Sequence, residues 1–511
     1  MAHLLQHLTA RWRAGGSQLA TIDAVKAAPP PSPLAPVDLT DPAQVTAVMD
    51  LAARIGHILL AAGTSNRDTL AHIHAVTSTY GLHYAHVDIT LNTITLFTTI
   101  GTETKTPVSV FRVVSHMRTD FSKLSEVDRL IRSIQAGATP PEVAIKILDD
   151  LTAARPTYGP KVAVLGWGGL GASACVLLGG NALGAVLSFV LSALIIAGAR
   201  WLGRQSLPVF FQNVFGGFMS TLPVAVAYSL ARQVGMDLRP SQVIAACLIV
   251  LLAGLTMVQS LQDGITGAPV TASARFFETF LFTGAIVAGV GVGMQASELL
   301  GITLPTMETG AQAGAGIGYV DSAVLVGAGV AASASFALAC YAEFSAIVVS
   351  ALTAATGASI YYLLLMPAGV DPVISTAIAA TVIGVAGGLL ARRFLIPPLI
   401  TAIAGITPML PGLWIYRGMY AALNDQMLVG FTNVALALSI CCALAAGVVL
   451  GEWTARKIRR PKVFNPYKAF RRPRRYTFPE QSTGDSGLKV VYSDTPITGS
   501  FPAQGLHEDQ K

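Results

Sequence analysis

Long apolar runs between Lys161 and Glu452, separated by short polar stretches, constrain this 511-residue chain more than any other feature. A helix that crosses a bilayer needs about 20 mostly apolar residues. Ten such segments lie near residues 160–179, 181–199, 209–230, 241–261, 273–296, 320–340, 343–364, 373–391, 396–416 and 427–451. Only 12% of the residues are charged, against about 25% in an average soluble protein. The sequence therefore predicts a polytopic α-helical membrane protein of about ten spans and excludes a soluble globular enzyme.

The second five spans follow the first five at a constant distance of about 158 residues. At this shift LSALIIAGA (191–199) falls on VSALTAATG (349–357), and LAGL (252–255) falls on LPGL (410–413). Because each set has an odd number of spans, the second set must enter the membrane from the opposite side. The sequence therefore predicts two inverted five-helix repeats, an architecture that is common among secondary transporters.

The remaining parts of the chain predict structure outside the bilayer. Helical periodicity and alternating β-branched runs indicate a small α+β domain after a Pro-rich stretch. Its expected elements are helices 47–62, 66–80, 123–135 and 141–154 and strands 85–91, 93–100 and 108–114, with a tight turn at Asn92. The whole chain then divides into a leader and Pro-rich linker (1–42), a cytoplasmic α+β domain (43–156), a first membrane repeat (160–296), a connecting loop (297–319), a second membrane repeat (320–452) and a basic, then disordered, tail (453–511).

The distribution of basic residues predicts the orientation in the cell membrane. The N-terminus has no continuous apolar stretch typical of a secretory signal, so we expect the first 155 or so residues to stay in the cytoplasm. The loops then on the inside hold Arg200, Arg204, Arg275, Arg392 and Arg393, and ARKIRRPK (455–462) follows the last span. This excess agrees with the positive-inside rule and places both termini inside. It also explains the net charge of +6 without nucleic-acid binding.

Polar residues at membrane depth are the candidates for moving a substrate, because charges there are costly. The densest cluster consists of Gln259, Gln262, Asp263, Arg275 and Glu278. In one interpretation Asp263 or Glu278 is a proton-responsive carboxylate, and Arg275, which can pair with Glu278 three residues away on a helix, binds a substrate carboxylate. In the other, these side chains form an ordinary interfacial loop that meets water and lipid headgroups.

Glycine and proline within two spans predict a second kind of candidate site. The third span contains Gly216, Gly217 and Pro223, and the ninth contains Pro408, Pro411 and Gly412. A broken helix exposes backbone amides and carbonyls that can bind a carboxylate and a cation. Nearby polar residues that could complete such a site are Asn213, Ser220, Thr221, Thr407, Tyr416 and Arg417. The alternative is a kink or a close helix contact, for which small residues are usual.

The predicted α+β domain contains most of the histidines but no recognisable catalytic or metal motif. His57, His72, His74, His83, His86 and His116 lie there, together with Asp68 and Asp88. A zinc site or a hydrolase centre is one interpretation, and ordinary surface or core histidines are the other. There is no HExxH sequence and no phosphate-binding loop, and all five cysteines lie in apolar segments. We expect no metal, no cofactor and no ATP-driven transport.

Three stretches resemble the threonine/serine exporter family. They are AAGTSNRDTLAHIHAVTSTYGLHYAHVDITLNTITLF (61–97), LTMVQSLQDGITGAPVTASARFFET (255–279) and ITPMLPGLWIYRGM (406–419). The resemblance extends over roughly residues 45–452 and implies a ten-span exporter that uses the proton-motive force to move L-threonine and L-serine out of the cytoplasm. Because HVDIT (86–90) is part of it, Asp88 is a candidate for a role in gating or in a hydrolytic activity.

The expected function is thus that of a secondary transporter rather than an enzyme. Its partners would be L-threonine, L-serine, protons and the lipid bilayer, with the oligomeric state left open. Three alternatives remain at this stage: an exporter of a small dicarboxylate such as succinate, a membrane-tethered enzyme whose activity resides in the α+β domain, and a passive channel.

Overall fold

The fold was analysed in a computed structural model that describes residues 37–458, except 101–104, 115–118, 138, 155, 157, 252, 303, 305–318 and 424–425. The predicted leader, most of the predicted connecting loop and most of the C-terminal tail therefore lie outside the described residues, as does His116. Residues 37–154 are called the N-terminal region below.

The N-terminal region contains four helices and a three-stranded antiparallel sheet. In chain order its elements are α1 (Pro42–Ala61), α2 (Asn66–Thr79), β1 (His86–Thr90), β2 (Thr93–Ile100), β3 (Thr106–Val113), α3 (Phe121–Gln135) and α4 (Pro141–Ala153). The strands follow the order β1-β2-β3, and the pair Thr90 and Thr93 closes the first hairpin across Leu91 and Asn92. The predicted helices, strands and tight turn are confirmed to within a few residues at each end.

Local capping explains where two of these helices begin. The Asp41 carboxylate accepts a hydrogen bond from the backbone amide of Ala43 at the start of α1, and Pro42 occupies the first helical position. The Ser65 hydroxyl accepts from the amide of Asp68 at the start of α2. Each cap satisfies an amide that has no partner within the helix.

The remaining helices contain the apolar runs. They are α5 (Pro160–Leu177), α6 (Ala182–Arg204), α7 (Val209–Val234), α8 (Pro240–Val250), α9 (Ala253–Thr266), α10 (Pro269–Leu299), α11 (Tyr319–Ala339), α12 (Phe344–Ser359), α13 (Pro372–Phe394), α14 (Pro398–Ile406), α15 (Gly412–Leu423) and α16 (Met427–Ile458). Within the described part of the chain nine helices are long and apolar enough to cross a membrane, and the bent pair α8–α9 would make ten. The chain is thus a mostly helical, multi-pass membrane protein.

One of those nine helices is α1, which the sequence places outside the bilayer. It packs against β2, β3 and the other three helices of the N-terminal region. Its apolar side chains, among them Met49, Leu51, Ile55 and Leu59, are almost completely buried. Burial in this core accounts for the apolar character of α1.

The membrane helices repeat with a fixed spacing. Pro240 and Pro398, which begin α8 and α14, are 158 residues apart, and so are Pro269 and Met427, which begin α10 and α16. Corresponding helices also have corresponding neighbours, since α7 packs along α10 and α13 packs along α16.

The third span differs from its prediction, because α7 runs unbroken through Gly216, Gly217 and Pro223. The two glycines allow close packing instead. A Cβ atom at Gly217 would lie 2.4 Å from the carbonyl oxygen of Ile286 in α10, and one at Gly289 would lie 2.1 Å from the carbonyl oxygen of Val214 in α7. The α7 glycines therefore serve the helix-contact alternative, as is usual for small residues in membrane interfaces.

We predict that Gly289→Ala destabilises the protein, because the new methyl group would collide with backbone that cannot rotate away. Such overpacking costs about 1–3 kcal/mol and would lower the thermal unfolding midpoint of the detergent-solubilised protein. Gly284→Ala on the same helix is the matched control, since a Cβ there meets no atom within 4 Å. Equal midpoints for the two variants would contradict the close packing of α7 and α10.

Candidate functional site

Two of the membrane-level helices are interrupted, and the interruptions occupy corresponding positions. The axes of α8 and α9 differ by 48° where the chain passes Leu251. In the second set α14 gives way to a short 3₁₀ turn at Thr407–Met409 before α15 begins at Gly412. Pro408 contributes directly, because it lacks the N–H group that would bond to the carbonyl of Ala404. The sequence pointed to the second break but not to the first.

The two breaks face each other. A Cβ atom at Gly412 would lie only 2.1 Å from Cγ1 of Ile249, near the end of α8. Any other residue at position 412 would push the two interrupted helices apart, so this glycine permits their close approach.

A cavity of about 120 Å³ borders the break between α14 and α15. From residues 160–299 it is lined by Leu170, Ala174, Leu177, Leu178 and Ile249. From residues 319–458 it is lined by Ala332, Tyr361, Tyr362, Thr376, Thr407, Pro408, Met409, Leu410, Pro411, Trp414 and Ile440. The cavity therefore lies between the two sets of membrane helices.

The polar groups of this cavity are hydroxyls. Tyr361 and Tyr362 lie in a π-helical turn, Ile360–Leu365, that continues α12, and such turns are frequent at functional sites. Their rings pack edge to face with centroids 4.9 Å apart. Tyr361 is hydrogen-bonded with the side chain of Thr376, whose hydroxyl donates to the carbonyl of Pro372. Sequence reasoning missed these three residues, although two adjacent tyrosines within an apolar span were a signal.

The other polar candidates of the third and ninth spans are separated. Thr221 is buried, and its hydroxyl donates to the carbonyl of Gly217 within α7. Asn213 lies one turn into α7 and is half-buried. Arg417 is half-buried on α15 and stacks over the Trp414 ring at 5.3 Å. Tyr416 is part of α15, but its side chain is outside the described residues.

A buried ion pair joins α9 to α10. Nη1 of Arg275 donates to the Asp263 carboxylate at 2.6 Å, and the two residues are 9% and 1% exposed. The backbone amide of Asn66 in α2 donates to the same carboxylate at 3.3 Å. Nη2 of Arg275 has no hydrogen-bond partner among the described residues.

Further hydrogen bonds link the N-terminal region to the same place. The side-chain amide of Asn66 donates to the Thr271 hydroxyl at 2.6 Å, and the backbone amide of Leu91, in the β1–β2 turn, donates to it at 3.1 Å. Arg67 donates to the carbonyl of Thr266 at 2.9 Å. We call this set, with Asp263 and Arg275, the first junction. It brings together two segments about 200 residues apart in the sequence.

The first junction differs from the predicted cluster in one respect. Glu278 is exposed, so Arg275 pairs with Asp263 across the α9–α10 turn rather than with Glu278 on its own helix. Gln259 is half-buried on α9, where its side-chain amide lies against Gly63. Burial selects the ion pair here, because an interior guanidinium needs a carboxylate that is equally shielded from water.

A second junction ties the N-terminal region to the later helices. Arg129 of α3 forms two hydrogen bonds with Glu343, at 2.6 and 3.3 Å, just before α12 begins. The amide of Phe121 donates to the carbonyl of Cys340, and the Phe121 ring packs edge to face on Phe336 of α11. The N-terminal region therefore contacts both sets of membrane helices.

The histidines and Asp88 do not converge. Asp88 is exposed on β1 and accepts a hydrogen bond from Thr90, while His83 and His86 are also exposed. His72 is 3% exposed, and burial lowers its pKa to about 4. Among the described residues no group of three or more His, Cys, Asp or Glu side chains could hold a metal ion.

Known proteins provide an independent comparison. Residues 50–297 match the family model described as "Putative threonine/serine exporter", and residues 325–453 match that of "Threonine/Serine exporter, ThrE". The chain is 61% identical over 465 residues to a Corynebacterium glutamicum protein named "Threonine/serine exporter", covering 91% of this chain and 94% of the relative. It is 34% identical over 414 residues to a Mycobacterium tuberculosis protein named "Probable threonine/serine exporter", covering 81% and 77%. No solved structure matches the chain.

We predict that Asp263→Asn destabilises the protein by about 3–5 kcal/mol, because it leaves Arg275 as a buried charge without its carboxylate. Arg275→Gln should have an effect of similar size, and the double variant should be more stable than the sum of the two losses implies. Thermal unfolding of the purified protein measures all three. Glu278→Gln, at the exposed neighbouring carboxylate, is the control. If Asp263→Asn melted with Glu278→Gln, the buried pair would not be a structural element.

Acid should destabilise the fold through His72. Its folded pKa of about 4 lies below the unfolded value of about 6.5, so its contribution to stability is complete above pH 6.5 and is lost as the pH falls towards 4. By pH 5.5 the loss is about 1 kcal/mol. We expect His72→Gln to reduce the difference in unfolding midpoint between pH 7.5 and pH 5.5. The exposed His83→Gln should leave that difference as in the unmodified protein, and equal behaviour of both variants would contradict the prediction.

Proposed function

Because the chain belongs to the threonine/serine exporter family, we propose that it is a secondary active exporter that moves L-threonine and L-serine out of the cytoplasm, driven by the proton-motive force. The substrate pair is taken from the name of the relative that is 61% identical over nearly its whole length. Energy coupling to protons is the finer part of the proposal. Moving one charge across 100 mV is worth about 2.3 kcal/mol.

In this proposal the membrane part consists of two inverted five-helix repeats, residues 160–296 and 320–452. The constant spacing of 158 residues supports a duplication, as does the corresponding packing of α7 on α10 and α13 on α16. An odd number of spans in each repeat requires opposite entry into the bilayer. Alternating access would then arise from movement of one repeat against the other.

The observation that carries the proposal is the meeting of the two broken helices beside a cavity lined by both repeats. Irregular backbone at membrane depth is tolerated only where protein buries it or a water-filled cavity adjoins it. In transporters such breaks mark the substrate and ion sites. We therefore route the substrate along the boundary between the repeats.

We further propose that the N-terminal region and both termini face the cytoplasm. The region contacts the α9–α10 connection and the α11–α12 connection, which are two crossings apart and hence on one side of a ten-span protein. The basic residues assigned to that side, from Arg200 to the ARKIRRPK segment, agree with the positive-inside rule.

For proton coupling we propose Asp263 rather than Glu278. Asp263 is buried at the cytoplasmic end of the interrupted span and is held by Arg275, whereas Glu278 is exposed. Protonation of Asp263 would release the guanidinium, and its Nη2 group, which has no partner among the described residues, could then attract a substrate carboxylate. The first junction would thus connect proton binding with substrate entry.

The testing experiment is efflux of labelled L-threonine from preloaded cells with and without the gene, before and after a protonophore. We expect gene-dependent efflux against the gradient that collapses when the protonophore is added. Glu278→Gln should transport normally, whereas Asp263→Asn, tested at matched membrane abundance, should lose the dependence of efflux on pH. Efflux that is unaffected by the gene would reject the amino-acid assignment. Normal pH dependence in Asp263→Asn would reject this residue as the proton site.

A further inference from the structure

We infer that the cavity at the α14–α15 break is the binding site for one substrate molecule, and that it selects a zwitterionic amino acid with a short hydroxyl-bearing side chain. The inference rests on the proposed function, because it identifies where and how the exported molecule would bind. It goes further by assigning residues to the recognition of each part of that molecule.

The charge of the cavity walls argues for a zwitterion. None of the described residues that line the cavity is Asp, Glu, Lys, Arg or His. Burying a dianion among such residues would leave two charges without a counter-charge, which is strongly unfavourable. A zwitterion carries compensating charges, so its net transfer into an uncharged, partly apolar cavity costs less. The cavity thus favours an amino acid over a dicarboxylate.

The broken helix supplies partial charges of both signs for the two ends of a zwitterion. The carbonyl end of α14 carries partial negative charge near Thr407, and the amide end of α15 carries partial positive charge near Gly412. Pro408 removes the α-helical donor to the carbonyl of Ala404, which leaves that end of α14 richer in acceptors. We assign the ammonium group to the α14 end and the carboxylate to the α15 end.

The hydroxyl pair Tyr361 and Thr376 provides the side-chain recognition. Thr376 is 2% exposed, and its hydroxyl is already committed as a donor to the carbonyl of Pro372. Tyr361, hydrogen-bonded with Thr376, is half-buried on the cavity wall. Together they offer a donor and an acceptor to a substrate hydroxyl. A pocket built to bond a hydroxyl discriminates against analogues that lack one, because its polar groups are then left unpaired.

The test is direct binding of labelled L-threonine to the purified full-length protein, with unlabelled L-serine, L-2-aminobutyrate and succinate as competitors. L-2-Aminobutyrate is threonine with the hydroxyl replaced by hydrogen. We expect L-serine to compete and succinate not to compete. Tyr361→Phe and Thr376→Val should weaken threonine binding about 3- to 10-fold and leave binding of L-2-aminobutyrate unchanged.

Two matched controls keep this test specific. Tyr228→Phe removes the hydroxyl of a half-buried tyrosine on α7, and Thr381→Val removes a hydroxyl on α13 that donates to the Ala377 carbonyl just as that of Thr376 donates to Pro372. Neither residue lines the cavity, so both variants should bind threonine as the unmodified protein does. The ratio of threonine to aminobutyrate affinity does not depend on the folded fraction of a preparation.

The outcomes separate the two levels of the proposal. If the unmodified protein binds threonine but Tyr361→Phe and Thr376→Val keep its ratio of affinities, the cavity assignment is wrong and the proposed function stands. If succinate displaces threonine as well as serine does, the zwitterion argument is wrong. If the unmodified protein neither binds nor exports threonine, the proposed function fails and the cavity assignment fails with it.

Discussion

The structure depends on one constraint of the bilayer interior: a backbone N–H or C=O group without a partner there costs several kcal/mol. Most spans satisfy it with an uninterrupted α-helix, as α7 does even across Pro223. The fourth and ninth spans do not, and both place their breaks inside the protein, against each other and away from lipid. Gly412 makes this possible, because only a residue without a side chain lets the α15 start approach Ile249. The cavity, with its hydroxyl groups and helix ends, follows from that arrangement.

The same constraint explains why charged residues gather at the ends of the membrane helices. Asp263 and Arg275 neutralise each other at 2.6 Å where α9 turns into α10. The amide of Asn66 completes the carboxylate's surroundings from outside the membrane helices. Glu343 is held by Arg129 in an equivalent manner at the other junction. In both places the N-terminal region supplies the hydrogen bonds that the short connections between spans lack.

Sequence reasoning was successful where a pattern is local. Span positions, the strands around Asn92 and the interruption marked by Pro408 and Pro411 follow from residues that are close in the chain. The break near Leu251 has no proline to mark it, although the match of LAGL to LPGL placed it opposite a known break. Gly216 and Gly217 were assigned to a break, but their missing side chains serve helix contact. The partner of Arg275 depends on burial, so helix spacing alone favoured Glu278 over Asp263. The pairing of Tyr361 with Thr376 crosses from one helix to another and has no signature in either segment.

The two junctions together have a mechanical consequence. The N-terminal region spans from the α9–α10 connection to the α11–α12 connection, and these belong to different sets of membrane helices. Any rigid-body motion that changes the separation of the two connections must be absorbed by that region, either by breaking one junction or by bending between them. The first junction is a buried network, whereas the Arg129–Glu343 bridge retains about 20% exposure on each side chain. The region therefore acts as a strap with one firm and one looser fastening, and the looser one determines how far that face can open.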